Sequence, residues 1–372
     1  MSTGQNLSPI IGYNIPMPLR SLHLTNFRSY PEMSFELNSA VTLVVGPNAS
    51  GKTNLLESLF VLASTKSFRA RDRDLVRHGE DFFRIAATND TTEYALGLRI
   101  HPGTEKRVTH NGAKRTLIHH IGQIQATLFE PTDLELVGGP PDGRRRYLDY
   151  ILCQTDRNYL KTLQDYRRVL RQRNALLEGF TVESVRGQIF SWDLKLAELA
   201  ADIFVARTRL IEYLNDRLPA LYADIAGSPA QVRLAYLPTV TGDDYPTNFL
   251  DALTRNLPRD LGAGFTTIGP HREDFKVEFK NNDVMAEASR GEVRTLVLAL
   301  KLAELGYSSE RTGLRPLLLL DDVFSELDHD RRTYLLQRLS GYQTIITTTD
   351  ADAVVRELSV PHSVIYTGGD YA

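Results

Sequence analysis

Gly46-Pro47-Asn48-Ala49-Ser50-Gly51-Lys52-Thr53 has the spacing G-x-x-x-x-G-K-T, the pattern a chain needs to wrap its backbone around a row of phosphates. The glycines permit the tight turn, successive backbone N–H groups converge on the anion, and the helix that follows adds its positive end. Lys52 has the reach to meet the terminal phosphates of a nucleoside triphosphate, the Thr53 hydroxyl can ligate Mg²⁺, and Asn54 stands beside them in the first helical turn. The acidic partner such a cradle requires is present at Leu317-Leu318-Leu319-Leu320-Asp321-Asp322. Asp321 would hold Mg²⁺, directly or through water, and Asp322 would stand nearest the attacking water as polariser or general base. A third group, Ser289-Arg290-Gly291-Glu292, opens the apolar run TLVLALKLAEL. Ser289 and Glu292 have the spacing of a capping box, and the same turn presents backbone amides at a helix start.

Elements of definite kind must position these residues. Val41 to Val45 reads as an apolar strand entering the loop, and Leu55, Leu56, Leu59 and Leu62 repeat at helical spacing after it. The four leucines before Asp321 suit a strand buried on both faces, with its acids at the C-terminal end where open α/β sheets bind ligands. Leu22, Leu24 and Phe27 supply one face of a further strand, Ser34 to Leu37 another, and Phe82 to Thr109 alternates like a meander. Turn signals stand at Asn89-Asp90, His101-Pro102-Gly103 and Asn111-Gly112. The middle of the chain changes character. Leu160, Leu163, Leu170 and Leu177, then Phe190, Leu194, Ala197, Phe204 and Leu214, mark two long amphipathic helices joined near Gly179. At about 30 to 50 Å each they form either a short paired arm or a helical subdomain.

The predicted fold class is therefore α/β, a nucleotide-binding head with a second, mainly helical lobe or short coiled-coil-like arm. The expected organisation is a leader at 1–16 with Met17 as the natural start, a discontinuous head at 17–145 and 290–372, and a helical lobe at 146–289. The 372 residues, 42% apolar and 24% charged, are enough to bury a large core. No run approaches a membrane span or a secretory signal, which points to a cytoplasmic protein with no membrane partner. The single cysteine, Cys153, excludes an internal disulfide and reads as packing. A net charge of −3 leaves no global nucleic-acid footprint, so such binding would need a local patch.

Taken in order, the phosphate loop, a long helical insertion, S-x-G-E and then hhhhDD-x-x-S-x-L-D resemble the ABC-type ATPase head shared with the structural-maintenance-of-chromosomes proteins. The finer likeness is to the RecF family of DNA replication and repair ATPases. LTNFRSY, GPNASGKTNLLESL, STKSFRA, RRRYLD, YRRVLRQRNALL, GPHREDF, SRGEVRTLVLALKLAE, LLLLDDVFSELD and TTTD stand in that family's order from Met17 onward. The resemblance implies ATP and Mg²⁺ as ligands. It implies an ATP-dependent homodimer in which Ser289 and Gly291 contact the γ phosphate bound to the opposite subunit, with Ser325-Glu326-Leu327-Asp328 at the dimer interface. Thr347 to Thr349 fall where many ABC ATPases place a γ-phosphate-sensing histidine. Asp322 departs from the more usual glutamate, which suits slow, DNA-dependent hydrolysis. The Q-loop position is open between Gln125 and Phe129-Glu130-Pro131.

The resemblance also implies binding to gapped duplex and single-stranded DNA, RecO and RecR as partners, recombinase loading and a part in the SOS response. Candidate DNA contacts are Lys66, Arg69, Arg71 and Arg73, Arg144 to Arg146, and Arg167, Arg168, Arg171 and Arg173. Arg272 and Arg144 to Arg146 suit intramolecular ion pairs or the nucleotide site equally. Two other readings share these residues: the ATP-hydrolysing subunit of a transporter, and a nucleotide-regulated scaffold with negligible turnover.

Overall fold

Two short hairpin turns and one long helical excursion decide the architecture of the computed structural model, which describes residues 18–178 and 182–368. The leader and the joint near Gly179 lie outside those residues. β1 (Ser21–Phe27) turns back through Arg28, whose φ of 55° is left-handed, into β2 (Tyr30–Glu36). The predicted strand Ser34 to Leu37 covers only the second half of β2, which already starts at Tyr30 and includes Pro31. The proline is tolerated because β2 pairs only with β1, at the sheet edge. β3 (Val41–Val45) leaves this layer for another sheet. The meander follows as expected: β4 (Phe82–Thr88), β5 (Glu93–Arg99), β6 (Glu105–His110) and β7 (Ala113–Arg115). Asn111 and Gly112, both at positive φ, form the last hairpin turn. The antiparallel order is β2-β1-β4-β5-β6-β7.

The second sheet is parallel. It adds β8 (Ala126–Phe129), β12 (Leu317–Asp321), β13 (Thr344–Thr348) and β14 (His362–Tyr366) in the order β14-β3-β13-β12-β8. Leu317 and Leu319 face the core shared with the antiparallel sheet and the helix Lys52–Ser64, while Leu318 and Leu320 face the opposite core. The four leucines are thus buried on both faces, as a central parallel strand requires.

Between the strands lies a helical lobe. Arg157–Ala175 pairs with Val182–Ala226, whose 45 residues extend roughly 68 Å. The lobe also holds Pro141–Thr155, Tyr245–Ala263 and a small sheet of β9 (Val232–Leu237), β10 (Asp274–Phe279) and β11 (Asn282–Asp283). These elements share one core, so the pair is built into a subdomain rather than a free arm. The apolar face of the longer helix differs from the predicted one. Leu196, Ala200, Ile203 and Leu210 are buried with Leu214, whereas Phe190 and Leu194 are 55% and 46% exposed. Cys153 packs against the same core, and burial pushes its thiol up to about 12.

The helix Arg290–Thr312 joins the two halves. Leu296, Leu300 and Ala303 enter the helical core, and Leu298, Leu302 and Leu305 lie on the parallel sheet. Among the described residues no helix is long and apolar enough to cross a membrane.

Candidate nucleotide-binding site

The phosphate loop hangs between two strands. The Gly46 N–H donates to Thr348 O at the end of β13, and Ser50 Oγ lies 2.7 Å from Thr367 Oγ1 just beyond β14. A Cβ at Gly46 would strike Thr367 through both its carbonyl and its hydroxyl, and would lie 2.7 Å from Ser50 Oγ. Gly51, at φ 97°, caps the helix Lys52–Ser64 and needs glycine's left-handed freedom. The β1–β2 turn closes over this cap: the Tyr30 hydroxyl donates to Gly51 O at 3.1 Å, and Asn54 Nδ2 donates to Ser29 Oγ at 2.9 Å. Asn54 is therefore held by the hairpin. Pro47, Asn48 and Ala49 form the tip, with Ala49 also left-handed.

Lys52 Nζ donates to Gly46 O at 2.7 Å and Pro47 O at 2.8 Å, so the ammonium sits inside the loop's mouth. Burial lowers its pKa, against the pull of Asp322 and Asp321. Across from it, Thr53 Oγ1 donates to Asp321 Oδ1 at 2.9 Å. Thr347 Oγ1 donates to the same oxygen at 2.7 Å and accepts the Asp322 N–H at 3.0 Å. Thr347 is fully buried, so its hydroxyl braces the acidic pair; Thr348 bonds Asp350, and Thr349 alone of the three is exposed. Asp322 itself takes a left-handed φ of 50°, which turns the chain out of β12 into the short helix Val323–Glu326.

These donors fit a magnesium nucleotide. Thr53 and Asp321 are hard oxygen ligands that already converge, and the loop narrows where a phosphate would enter. Among the described residues no group of three or more His, Cys, Asp or Glu side chains could cage a metal, so a cation held here would complete its shell with phosphate and water. Bound Mg²⁺ would supply charge neutralisation between the phosphates.

The Q-loop alternatives separate cleanly. Gln125 stands at the entrance of β8, and its amide oxygen accepts from Thr312. That is the opposite end of the parallel strand from Asp321. Glu130 follows the exit of β8, on the ligand side. Burial, then Asp133 and Asp321, push its carboxyl up to about 7.

Ser289 caps Arg290–Thr312 in the predicted capping box: Glu292 N donates to Ser289 Oγ at 3.3 Å, and Ser289 N donates to Glu292 Oε2 at 2.8 Å. Ser289 is exposed, and among the described residues neither it nor Gly291 is hydrogen-bonded to the phosphate loop. Arg331, which the sequence did not single out, ties this turn to the segment after β12. Its Nη2 donates to Gly291 O at 3.2 Å, its Nε to Thr295 Oγ1 at 2.8 Å, and its Nη1 pairs with Asp328. Asp328 also caps His329–Arg338 by accepting from Arg331 N. Ser325 Oγ donates to Asp322 O at 2.7 Å, and Leu327 is buried.

Several of the candidate DNA-contacting arginines are engaged in ion pairs or backbone bonds, and Arg144 and Arg173 are buried. Arg144 grips Asp274 through two bonds of 2.7 Å, Arg145 bonds Glu273 O, and Arg146 pairs with Asp142. Arg167 pairs with Asp149 and Arg168 with Asp165. Arg173 is fully buried between Asp193 and Asp260 and is excluded from any DNA surface. Arg69 bonds Glu57 and Asn54. Burial alone would raise Glu57, but Arg28, Arg69 and Ser67 together hold it below the usual range. Arg272 lies over the Phe265 ring at 4.7 Å. Lys66, Arg71, Arg73 and Arg171 are exposed, as are the paired Arg69, Arg146, Arg167 and Arg168.

Comparison with known proteins agrees with this geometry. Residues 18–367 match the family described as the RecF/RecN/SMC N terminal domain. A DNA replication and repair protein RecF from Lactobacillus johnsonii is 37% identical over 355 residues, covering 92% of this chain and 95% of that relative. Its counterpart from Symbiobacterium thermophilum is 38% identical over 360 residues, covering 93% and 95%. The solved structure of the recombination mediator protein RecF-ATPrS in the RecFOR pathway matches with a TM-score of 0.85 at 31% identity, over 96% of this chain and 98% of that one. A Smc head domain from Pyrococcus furiosus shares the fold, with a TM-score of 0.52 at 15% identity over 94% and 93% of the two chains. A P-loop facing an acidic strand end, a capped S-x-G-E helix bridging to a helical lobe, and these relatives over nearly the whole length establish that the chain belongs to the RecF/RecN/SMC N-terminal domain family and, within it, to the RecF proteins.

Proposed function

We propose that the chain is a cytoplasmic ATP-dependent DNA-binding protein of DNA replication and recombinational repair, which closes into a homodimer when two copies sandwich two ATP molecules. The observation that carries this reading is the meeting of Thr53 and Asp321 at 2.9 Å beside Lys52, with Ser289 exposed on a separate helix start. One copy supplies the phosphate loop and the Mg²⁺ ligands Thr53 and Asp321; the other supplies Ser289 and the amides near Gly291. Each γ phosphate then bridges two chains, and hydrolysis removes the bridge, which makes closure a ligand-driven population shift.

Within each site Lys52 carries the charge that stabilises the transferred phosphoryl group. Asp322 orients the water and accepts its proton from the turn that Thr347 holds. Its shorter reach supports slow hydrolysis, stimulated when DNA favours the closed state. Relatives named for DNA replication and repair, and one described as a recombination mediator in the RecFOR pathway, support the repair role; partnership with RecO and RecR, recombinase loading at single-strand gaps and a role in the SOS response belong to the same proposal. The two-lobed organisation, a head of residues 17–145 and 290–372 around a lobe of 146–289, belongs to the same proposal.

Light scattering with and without ATP and a gapped duplex, at two salt concentrations, tests nucleotide, dimer and DNA together. The expected result is a doubled mass with ATP that hydrolysis reverses, and a further salt-sensitive gain with DNA. A mass that stays monomeric with ATP and DNA at low salt refutes the reading.

A further inference from the structure

Beside the candidate cations of the motifs stands one basic group that no motif marked. Lys114 and Arg115 on the edge strand β7, Arg157 at the start of the first lobe helix, and His110, Thr116, His119 and Gln123 line a recess of about 450 Å³. Lys114, Arg115 and Arg157 are exposed, and among the described residues none has a carboxylate partner. The lining contains no acid. Glu105, whose charge reaches Lys114, is already bonded to Arg99 and Arg107, so the neighbouring strands add positive charge to the recess. Thr116 Oγ1 lies 2.7 Å from His119 Nδ1, and His110 Nε2 lies 2.9 Å from His120 Nδ1. The two rings are held in place beside the cations.

We infer that this recess, where the antiparallel sheet meets the helical lobe, is a binding surface for the phosphate backbone of duplex DNA. The inference rests on the DNA-binding reading above and assigns it a place. Three cations without a carboxylate partner, from a sheet edge and a helix start, line one recess that holds no acid, in a chain of net charge −3. The lining has no aromatic face other than imidazole to stack a base, and no acid to select one, so contact is to phosphates and indifferent to sequence.

The test compares the full-length chain with the Lys114→Ala/Arg115→Ala/Arg157→Ala variant by fluorescence anisotropy on a labelled 30-base-pair duplex across a salt series. Loss of three phosphate contacts flattens the slope of log affinity against log salt by about 2.7. ATP affinity and ATP-dependent dimerisation stay at wild-type values, which shows that the variant is folded. A second variant, Arg115→Lys/Arg157→Lys, keeps the charge and keeps the slope. An unchanged slope in the alanine variant, with wild-type DNA binding intact, overturns the inference and points to an acidic protein surface as occupant. Failure of the wild-type chain to bind duplex at low salt removes the underlying DNA reading itself, a separate and distinguishable result.

Discussion

Replacing Arg173 with methionine removes the cation shared by two buried carboxylates and should loosen the outer end of the helical lobe. Arg173 Nε donates to Asp193 Oδ1 at 2.6 Å; Nη1 donates to Asp260 Oδ2 at 2.7 Å and to Thr266 Oγ1 at 2.8 Å. None of the three charged side chains is more than 5% exposed. Methionine fills much of the arginine stem's volume, so the cavity term is small. What remains is the desolvation of two carboxylates without a counterion, which costs about 3–5 kcal/mol. The sign with pH follows. Burial already raises Asp193 against the pull of Arg173, and losing that pull raises it further. The folded variant then holds a proton that the unfolded chain releases, so its stability falls as pH rises and its deficit is greatest at pH 8. Trp192, the only tryptophan in the chain, packs against the lobe core next to Asp193 and reports its unfolding in urea. Arg173→Met/Asp193→Asn/Asp260→Asn, which removes all three charges, should recover most of the loss. A deficit below about 1 kcal/mol, or one that does not shrink between pH 8 and pH 5, refutes the account.

Three other outcomes follow from the site. Gly46→Ala forces a methyl group against Thr367, and because one opposing atom is backbone no rotamer relieves it. A distortion of about 1–3 kcal/mol on the loop lowers ATP affinity by about 5- to 150-fold by calorimetry, with the fold retained; wild-type affinity would contradict the packing. Arg331→Ala removes charged bonds to Gly291 O and Thr295 worth about 1.5–3 kcal/mol together with their partners' order. Monomer ATP binding is unchanged, ATP-dependent dimerisation weakens in sedimentation, and equal weakening of both would show a global defect instead. Glu130→Gln removes a carboxyl whose folded pKa of about 7 lies above its unfolded value. Thermal melts should show the variant gaining stability over wild type at pH 8, by about 1–3 kcal/mol, and no gain at pH 5; an equal gain at both values would rule out titration as the cause.

The nucleotide site was legible because its constraints are local. A loop that must hold phosphate requires glycines and a lysine at fixed offsets, and four leucines before two aspartates admit few placements other than a central parallel strand. The positions that escaped are those whose meaning depends on distant partners. Nothing in RRRYLD tells that Arg144 meets Asp274, or in YRRVLRQRN that Arg173 is enclosed by Asp193 and Asp260. A run of arginines on an amphipathic helix looks alike whether it faces water or buried acids. Phe190 and Leu194 failed for the related reason that helical period alone does not choose which of two apolar stripes the lobe covers. Lys114-Arg115 is too short to stand out as a charge run, and Arg157 lies 42 positions further on, so only the fold assembles them.

The placement of Arg331 bears on how two sites in one dimer would act together. On the proposed function Asp321 and Asp322 would serve the nucleotide held by their own chain, whereas Ser289 and Gly291 of that chain would serve the partner's. Between them lie two groups of bonds joined by the short stretch of chain from Ser325 to Asp328: Ser325 bonds Asp322 O, and Asp328 caps the next helix and pairs with Arg331, which holds Gly291 O and Thr295. A shift at the acidic turn, such as loss of the γ phosphate beside Asp322, has a short mechanical route to the turn that grips the other nucleotide. Two hydrolytic events joined in this way favour a clamp that opens as a unit over one that releases each edge independently. The coupling is reciprocal, because the same bonds carry strain in either direction. Arg331→Ala should therefore uncouple the two sites as well as loosen the dimer: cooperative ATP titration of the wild type and non-cooperative titration of the variant are the expected results, and equal cooperativity in both refutes the route.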